Sequence, residues 1–187
     1  MAKLSTALTV SLMIVTGIIG VGIGYYLTPQ YQQTMFSKNE MSLGPADRSV
    51  DQRYINAMIT HHRGAILVAE QAITTSERKE IRDLAGEILQ NEPKLIAELY
   101  AWKKDWYKDT RTVRDPIVPR LGDFSPTFDL RFINAVIAHH EAGIAMTKEI
   151  RSKSSRAEVL DNADAVEAFL TKSGAMLQGW RKQWYNI

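Results

Sequence analysis

Asp51-Gln-Arg-Tyr-Ile-Asn-Ala-Met-Ile-Thr-His61-His62-Arg-Gly-Ala65 returns 78 residues later as Asp129-Leu-Arg-Phe-Ile-Asn-Ala-Val-Ile-Ala-His139-His140-Glu-Ala-Gly143. The offset matches Asp51 with Asp129, Arg53 with Arg131, Asn56 with Asn134, and each His-His pair with the other. Continued without a gap, it matches Trp102 with Trp180, Trp106 with Trp184 and Tyr107 with Tyr185. Residues 51–107 and 129–185 are therefore two copies of one unit. All four histidines of the chain lie in the two matched pairs.

The pattern inside the unit is helical. Tyr54, Met58, His61, Ala65, Val68 and Ala72 recur at intervals of three and four, and Ile55, Ile59, His62, Ile66, Ala69 and Ile73 run beside them. Together they form one broad apolar arc opposite Gln52, Asn56, Thr60, Arg63 and Glu70. Each His pair falls within that arc, the two rings about 100° apart around the axis. The second helix of the first copy runs to about Tyr107 through Ile81, Leu84, Ile88, Leu95, Leu99, Trp102 and Trp106, with Pro93 inside it. Capping boxes are expected at Ser49–Gln52 and Ser155–Glu158, a Ser76 cap on the second helix, and a proline start to the third at Ser125-Pro126. No stretch alternates like a strand. The expected fold is all-α: two helical hairpins, each too thin to bury its own face, packed as a ferritin-like four-helix bundle over 49–187.

The connection 108–125, with Pro116, Pro119 and Gly122, leaves the topology open. Up-down-up-down packing makes the first and third helices parallel, whereas a crossover makes them antiparallel. Either way the His pairs, near mid-helix, arrive at the same height. Trp102, Lys103, Trp106 and Tyr107 are expected to join Trp180, Arg181, Trp184 and Tyr185 in one aromatic-basic cluster, which in the first topology lies at the end of the bundle where the first helix starts.

Ahead of the bundle, Leu4 to Leu27 is 24 residues without a charge, preceded by Lys3. That length suits a transmembrane anchor or an uncleaved signal, and no small-x-small cleavage site closes it. Residues 28–48 carry Pro29, Gly44 and Pro45 and read as a polar tether. The expected location is the inner or plasma membrane, single-pass, with the bundle on the periplasmic or extracytoplasmic side.

The 187 residues suffice for one domain with a sizeable core, and 24% charged with 45% hydrophobic residues marks a globular chain. A net charge of +2 without a basic stripe argues against nucleic acid. The absence of cysteine removes disulfides, thiolate metal sites and cysteine nucleophiles. Neither His pair has Glu three residues before it, as di-iron bundles require. No nucleophile-base constellation appears, so the chain reads as non-enzymatic.

Four imidazoles in one layer point to a metal. Neutral imidazole suits copper, zinc, nickel and iron, and thioether sulfur favours copper(I). Met58 stands one helical turn from His61 and His62, whereas Met146 is about 10 Å along the axis from His139.

The doubled aromatic-Ile-Asn-Ala-(Met/Val)-Ile-x-His-His unit, followed by a helix ending in Trp, resembles the exported bacterial family known as domain of unknown function 305, and within it a copper-binding member. The resemblance covers 51–185. It implies an exported bundle that binds soft metals through Met and His, and by position it points to Met58, His61, His62, His139, His140 and Met146. Val136 stands opposite Met58 in the repeat and Val68 opposite Met146, so histidine outweighs methionine here. The expected function is membrane-anchored sequestration or transfer of copper or silver, with zinc also suited to the donors. The alternative is an envelope structural or interaction module without a metal, whose histidines pack or sense pH.

Overall fold

A computed structural model describes residues 42–187. They form four α-helices: α1 Val50–Thr75, α2 Lys79–Tyr107, α3 Phe128–Arg151 and α4 Ala157–Tyr185. The expected anchor at 4–27 and residues 28–41 of the expected tether lie outside the described residues. Among the described residues no helix is long and apolar enough to cross a membrane.

The hairpins α1–α2 and α3–α4 pack through α1 against α3, while α2 and α4 form no comparable contact. Helices α1 and α3 run antiparallel. Ser76, just past the end of α1, donates to Asp129 at the start of α3 (2.6 Å), and Arg156, beyond α3, reaches Asp51 at the start of α1. The segment between α2 and α3 explains this direction. It climbs the flank of α1, with Asp109 bonded to Gln52, Asp115 paired with Arg63, and Pro119 and Leu121 bonded to Gln71. Helix α3 thus begins where α1 ends, which is the single long crossover of a ferritin-like arrangement.

This direction separates the aromatic ends. Trp102, Trp106 and Tyr107 pack on a core cluster holding Tyr54, Met58, Met146 and Ile150, whereas Trp180, Trp184 and Tyr185 pack on another holding Ala72, Phe128 and Phe132. The expected joint aromatic-basic cluster does not form. Instead each end carries its own lock. Arg156 lies 4.2 Å over Trp106 and pairs with Asp51; Arg78 lies 4.4 Å over Trp184 and pairs with Asp129. A turn arginine of one hairpin is thereby held by the other hairpin at both ends.

Helix starts also differ from expectation. Ser49 makes no side-chain cap; its own N–H goes to Asp47 (2.9 Å). Helix α4 starts at Ala157 and α2 at Lys79, with Ser154 and Ser76 accepting the N–H groups of Arg156 and Arg78. Pro126 precedes α3 by two residues, and α2 continues through Pro93.

The repeat is longer than its sequence signature. Residues 42–48 lie on the bundle, with Leu43 buried and Gly44 carbonyl taking Lys153 Nζ. Leu121 is likewise buried, 78 residues on. Arg53 Nε donates to Leu43 O (2.5 Å), and Arg131 Nε to Leu121 O (2.6 Å). Gly44 and Gly122 follow with φ of +67° and +74°. A side chain there costs about 1–2 kcal/mol. Gly44→Ala and Gly122→Ala should each lower unfolding free energy by about 1 kcal/mol, and the pair by about 2, since the sites are far apart. Denaturant titration checks this.

Candidate metal centre

The crossover places mid-α1 against mid-α3, and the repeat makes the meeting symmetric. His61 stacks on His139 with centroids 3.7 Å apart and planes 7° apart. His62 lies 5.9 Å from His61, and His140 lies 6.0 Å from His139. The four rings form one layer, and all are buried.

Such close approach needs small residues. A Cβ on Gly143 would fall 2.7 Å from the His61 ring and 2.5 Å from Leu170 Cδ1, and one on Gly64 would lie 3.7 Å from His139. Gly143 therefore admits the His61 ring. Its repeat mate is Ala65, so sequence symmetry gives no hint of the demand.

The layer lines a partly open cleft of about 320 Å³ between α2 and α4. Its walls are mostly apolar, with Leu84, Ile88 and Leu95 on α2 and Val166, Phe169 and Leu170 on α4. Leu95 and Phe169 remain exposed at 40% and 57%. The polar members of the wall include Glu87, Asn91, Glu92, Asn162 and Ser173.

Burial pushes His61 and His139 well below the ordinary value of 6.5, and the neighbouring imidazoles push in the same direction. Burial brings His140 down to about 4. These three rings are neutral at neutral pH, the form that offers a lone pair to a metal. His62 Nδ1 meets the Glu92 carboxylate, and His140 Nε2 meets Ser173 Oγ at 2.9 Å. The other nitrogens of these two rings, His62 Nε2 and His140 Nδ1, are buried without a hydrogen-bond partner among the described residues. A buried nitrogen left in this way is costly, and a metal ion would satisfy it. The donor set fits copper, silver or zinc.

The four expected histidines meet as a layer, but as a stack rather than a ready chelate. Imidazole lone pairs lie in the ring plane, so two parallel rings aim at different points. Consistent with this, no three His, Asp or Glu side chains among the described residues are grouped to hold one ion. Met58 and Met146 are buried together in one core cluster and do not line the cleft. Glu92, Ser173 and Gly143 escaped the sequence reading. The first two lie on the partner helices, where only the register between helices brings them to histidine.

The sequence profile of a domain of unknown function, DUF305, matches residues 51–117 and 129–187. No curated protein matches the chain. Among solved structures, the chain is similar to "CopM in the Cu(I)-bound form" with 28% identity and a TM-score of 0.65, covering 72% of this chain and 97% of that one. It is also similar to CopM in the Ag-bound form, obtained by co-crystallization, with 27% identity, a TM-score of 0.64 and the same coverage of 72% and 97%. For the Cu(II)-bound form the identity is 26% and the TM-score 0.61, again over 72% and 97%.

Two predictions follow from the buried layer. An unfolded chain protonates its histidines near 6.5, whereas the folded metal-free chain resists until about 4 at His140. The unfolded state therefore binds more protons in that window, so stability is fully present above pH 6.5 and falls as the pH drops towards 4. His140 alone accounts for about 3 kcal/mol, roughly 6 to 12 °C in Tm for a chain of this size. Thermal scans from pH 7 to 4 should show the fall, and His140→Gln should lessen it, leaving the part due to His61 and His139. Gly143→Ala should destabilise the fold by about 1–3 kcal/mol, since the His61 ring or Leu170 must move, and calorimetric unfolding measures this.

Proposed function

The chain belongs to the DUF305 family, and from that premise we propose that it binds copper or silver ions in its histidine cleft and sequesters them or passes them on, without catalysis. The observation that carries this reading is the convergence of all four histidines of the chain in one buried layer beneath a partly open cleft. The likeness to a protein solved with Cu(I), Cu(II) and Ag supports it. The proposal places the bundle outside the cytoplasm, tethered by the uncharged segment 4–27, because that segment is long enough to span a bilayer.

His61, His62, His139 and His140 would supply the nitrogen donors. The bound metal would bring only its positive charge and its affinity for nitrogen and sulfur. The protein's part is to keep the His61, His139 and His140 rings neutral, to exclude competing water with apolar walls, and to leave the mouth open between α2 and α4. Because His61 and His139 are stacked, one ring has to turn before both can serve a single ion. Met58 and Met146 would add sulfur only after a similar adjustment, so they are secondary donors in this proposal.

The stack is also the one observation that favours the second reading, a metal-free envelope module in which the rings simply pack. Calorimetric titration with copper(I), silver(I), copper(II) and zinc(II) separates the two. The metal reading expects His61→Ala with His139→Ala to abolish tight binding. Met58→Leu and Met146→Leu should each weaken silver(I) less than this double change does. Unaltered binding in the double variant would remove the histidine layer from the site.

A further inference from the structure

His62 and His140 hold matching places in the repeat, yet their partners do not match. His62 Nδ1 faces the carboxylate of Glu92, whose repeat mate is Leu170. His140 Nε2 faces the hydroxyl of Ser173, whose mate is Leu95. The two halves of one cleft have therefore diverged at the residue that touches the histidine from the opposite helix.

The chemical consequence is specific. An ionised carboxylate only accepts hydrogen bonds, so Glu92 holds the proton on His62 Nδ1 and leaves the lone pair on Nε2. That Nε2 is the buried nitrogen with no partner among the described residues. A hydroxyl both donates and accepts, so Ser173 fixes neither tautomer of His140. The carboxylate also brings a negative charge to within hydrogen-bonding distance of the ring, with its side chain only 12% exposed. Among the described residues, Glu87 and Glu92 are the charged side chains of the cleft wall, and neither lysine nor arginine lines it. Low exposure and the missing cation both preserve the field of Glu92 inside the cleft.

We infer that the cleft is polarised, that its α2 side with His62 and Glu92 is the station for divalent ions, and that Glu92 sets the preference for divalent over monovalent metal. This rests on the metal-binding reading above. Attraction between charges scales with the charge of the ion, so loss of one carboxylate charge costs a divalent ion twice the free energy it costs a monovalent ion. In affinities, the divalent fold-loss is then the square of the monovalent one. Carboxylates that orient a ligating histidine are worth about 10–100-fold in metal affinity. Glu92→Gln should thus weaken zinc(II) by about 100-fold and silver(I) by about 10-fold.

The experiment uses the full-length protein. Zinc(II) and silver(I) are titrated calorimetrically into wild type, Glu92→Gln, Glu92→Asp and Ser173→Ala, and nitrogen NMR reads the histidine tautomers of the metal-free proteins. The expected results are unequal losses in Glu92→Gln, recovery of most zinc affinity in Glu92→Asp, and an unchanged zinc-to-silver ratio in Ser173→Ala. The His62 resonances should report proton on Nδ1 in wild type and a mixture in Glu92→Gln. Equal losses for the two ions, or a His62 tautomer indifferent to Glu92→Gln, would overturn the inference while leaving metal binding intact. A wild type that binds neither ion would instead end the metal-binding reading.

Discussion

The flat contact of His61 on His139 is the constraint to which the rest of the bundle conforms. Two polar rings 3.7 Å apart at the centre of a helical bundle require that α1 and α3 cross at mid-length with little between them. Glycine at 143 meets that demand on one side, where even a methyl group would strike the His61 ring. The crossover along α1 meets it in chain direction, because it starts α3 at the far end and brings matching heights together. With the hairpins joined mainly through α1 and α3, α2 and α4 stand apart, and the gap between them becomes the cleft. The opening and the histidine layer are thus two results of one packing choice.

The same choice explains why the ends are locked as they are. A bundle joined along one pair of helices could pivot about that contact. Arg78 and Arg156 oppose this at opposite ends, each engaging an aspartate and a tryptophan of the other hairpin. Each arginine is partly exposed, so the individual pairs contribute modestly. Their value is positional, since together they hold both termini of α1 against α3 and fix the register that the central stack needs.

Much of this was legible in the sequence. The 78-residue offset identified the unit, the three-four periodicity gave four helices, and the placement of each His-His pair mid-arc gave a buried layer. What the sequence left open concerns distances between chain segments. Parallel and antiparallel α1/α3 satisfied the same periodicity, and only the path of residues 109–121 against Gln52, Arg63 and Gln71 decides between them. The capping boxes misled because Ser-x-x-Gln and Ser-x-x-Glu motifs compete with other local acceptors, such as Asp47 for the Ser49 N–H. The extension of the repeat back to Leu43 had a signal, Leu-Gly at 43–44 and again at 121–122. It was masked by the polar, proline-containing residues around each copy.

Glu92 could not have been read from the sequence, and the reason is physical. It sits beside Pro93 on the helix opposite the histidines and shares no motif with them. Only hairpin packing decides which residue of α2 meets His62. Duplication explains why the answer differs on the other side. Identical units give identical backbone positions, but a symmetric cleft has one interior, so charge placed by both copies would repel itself across it. A carboxylate at 92 with leucine at 170 sets one carboxylate against a histidine nitrogen, while Glu87, the other acid of the wall, is exposed. One charge is held by one His–Glu contact, while a second in the same apolar space would raise the desolvation cost without a cation to offset it. Divergence at two matched positions, Glu92 against Leu170 and Leu95 against Ser173, makes a two-fold repeat into a cleft with distinct sides.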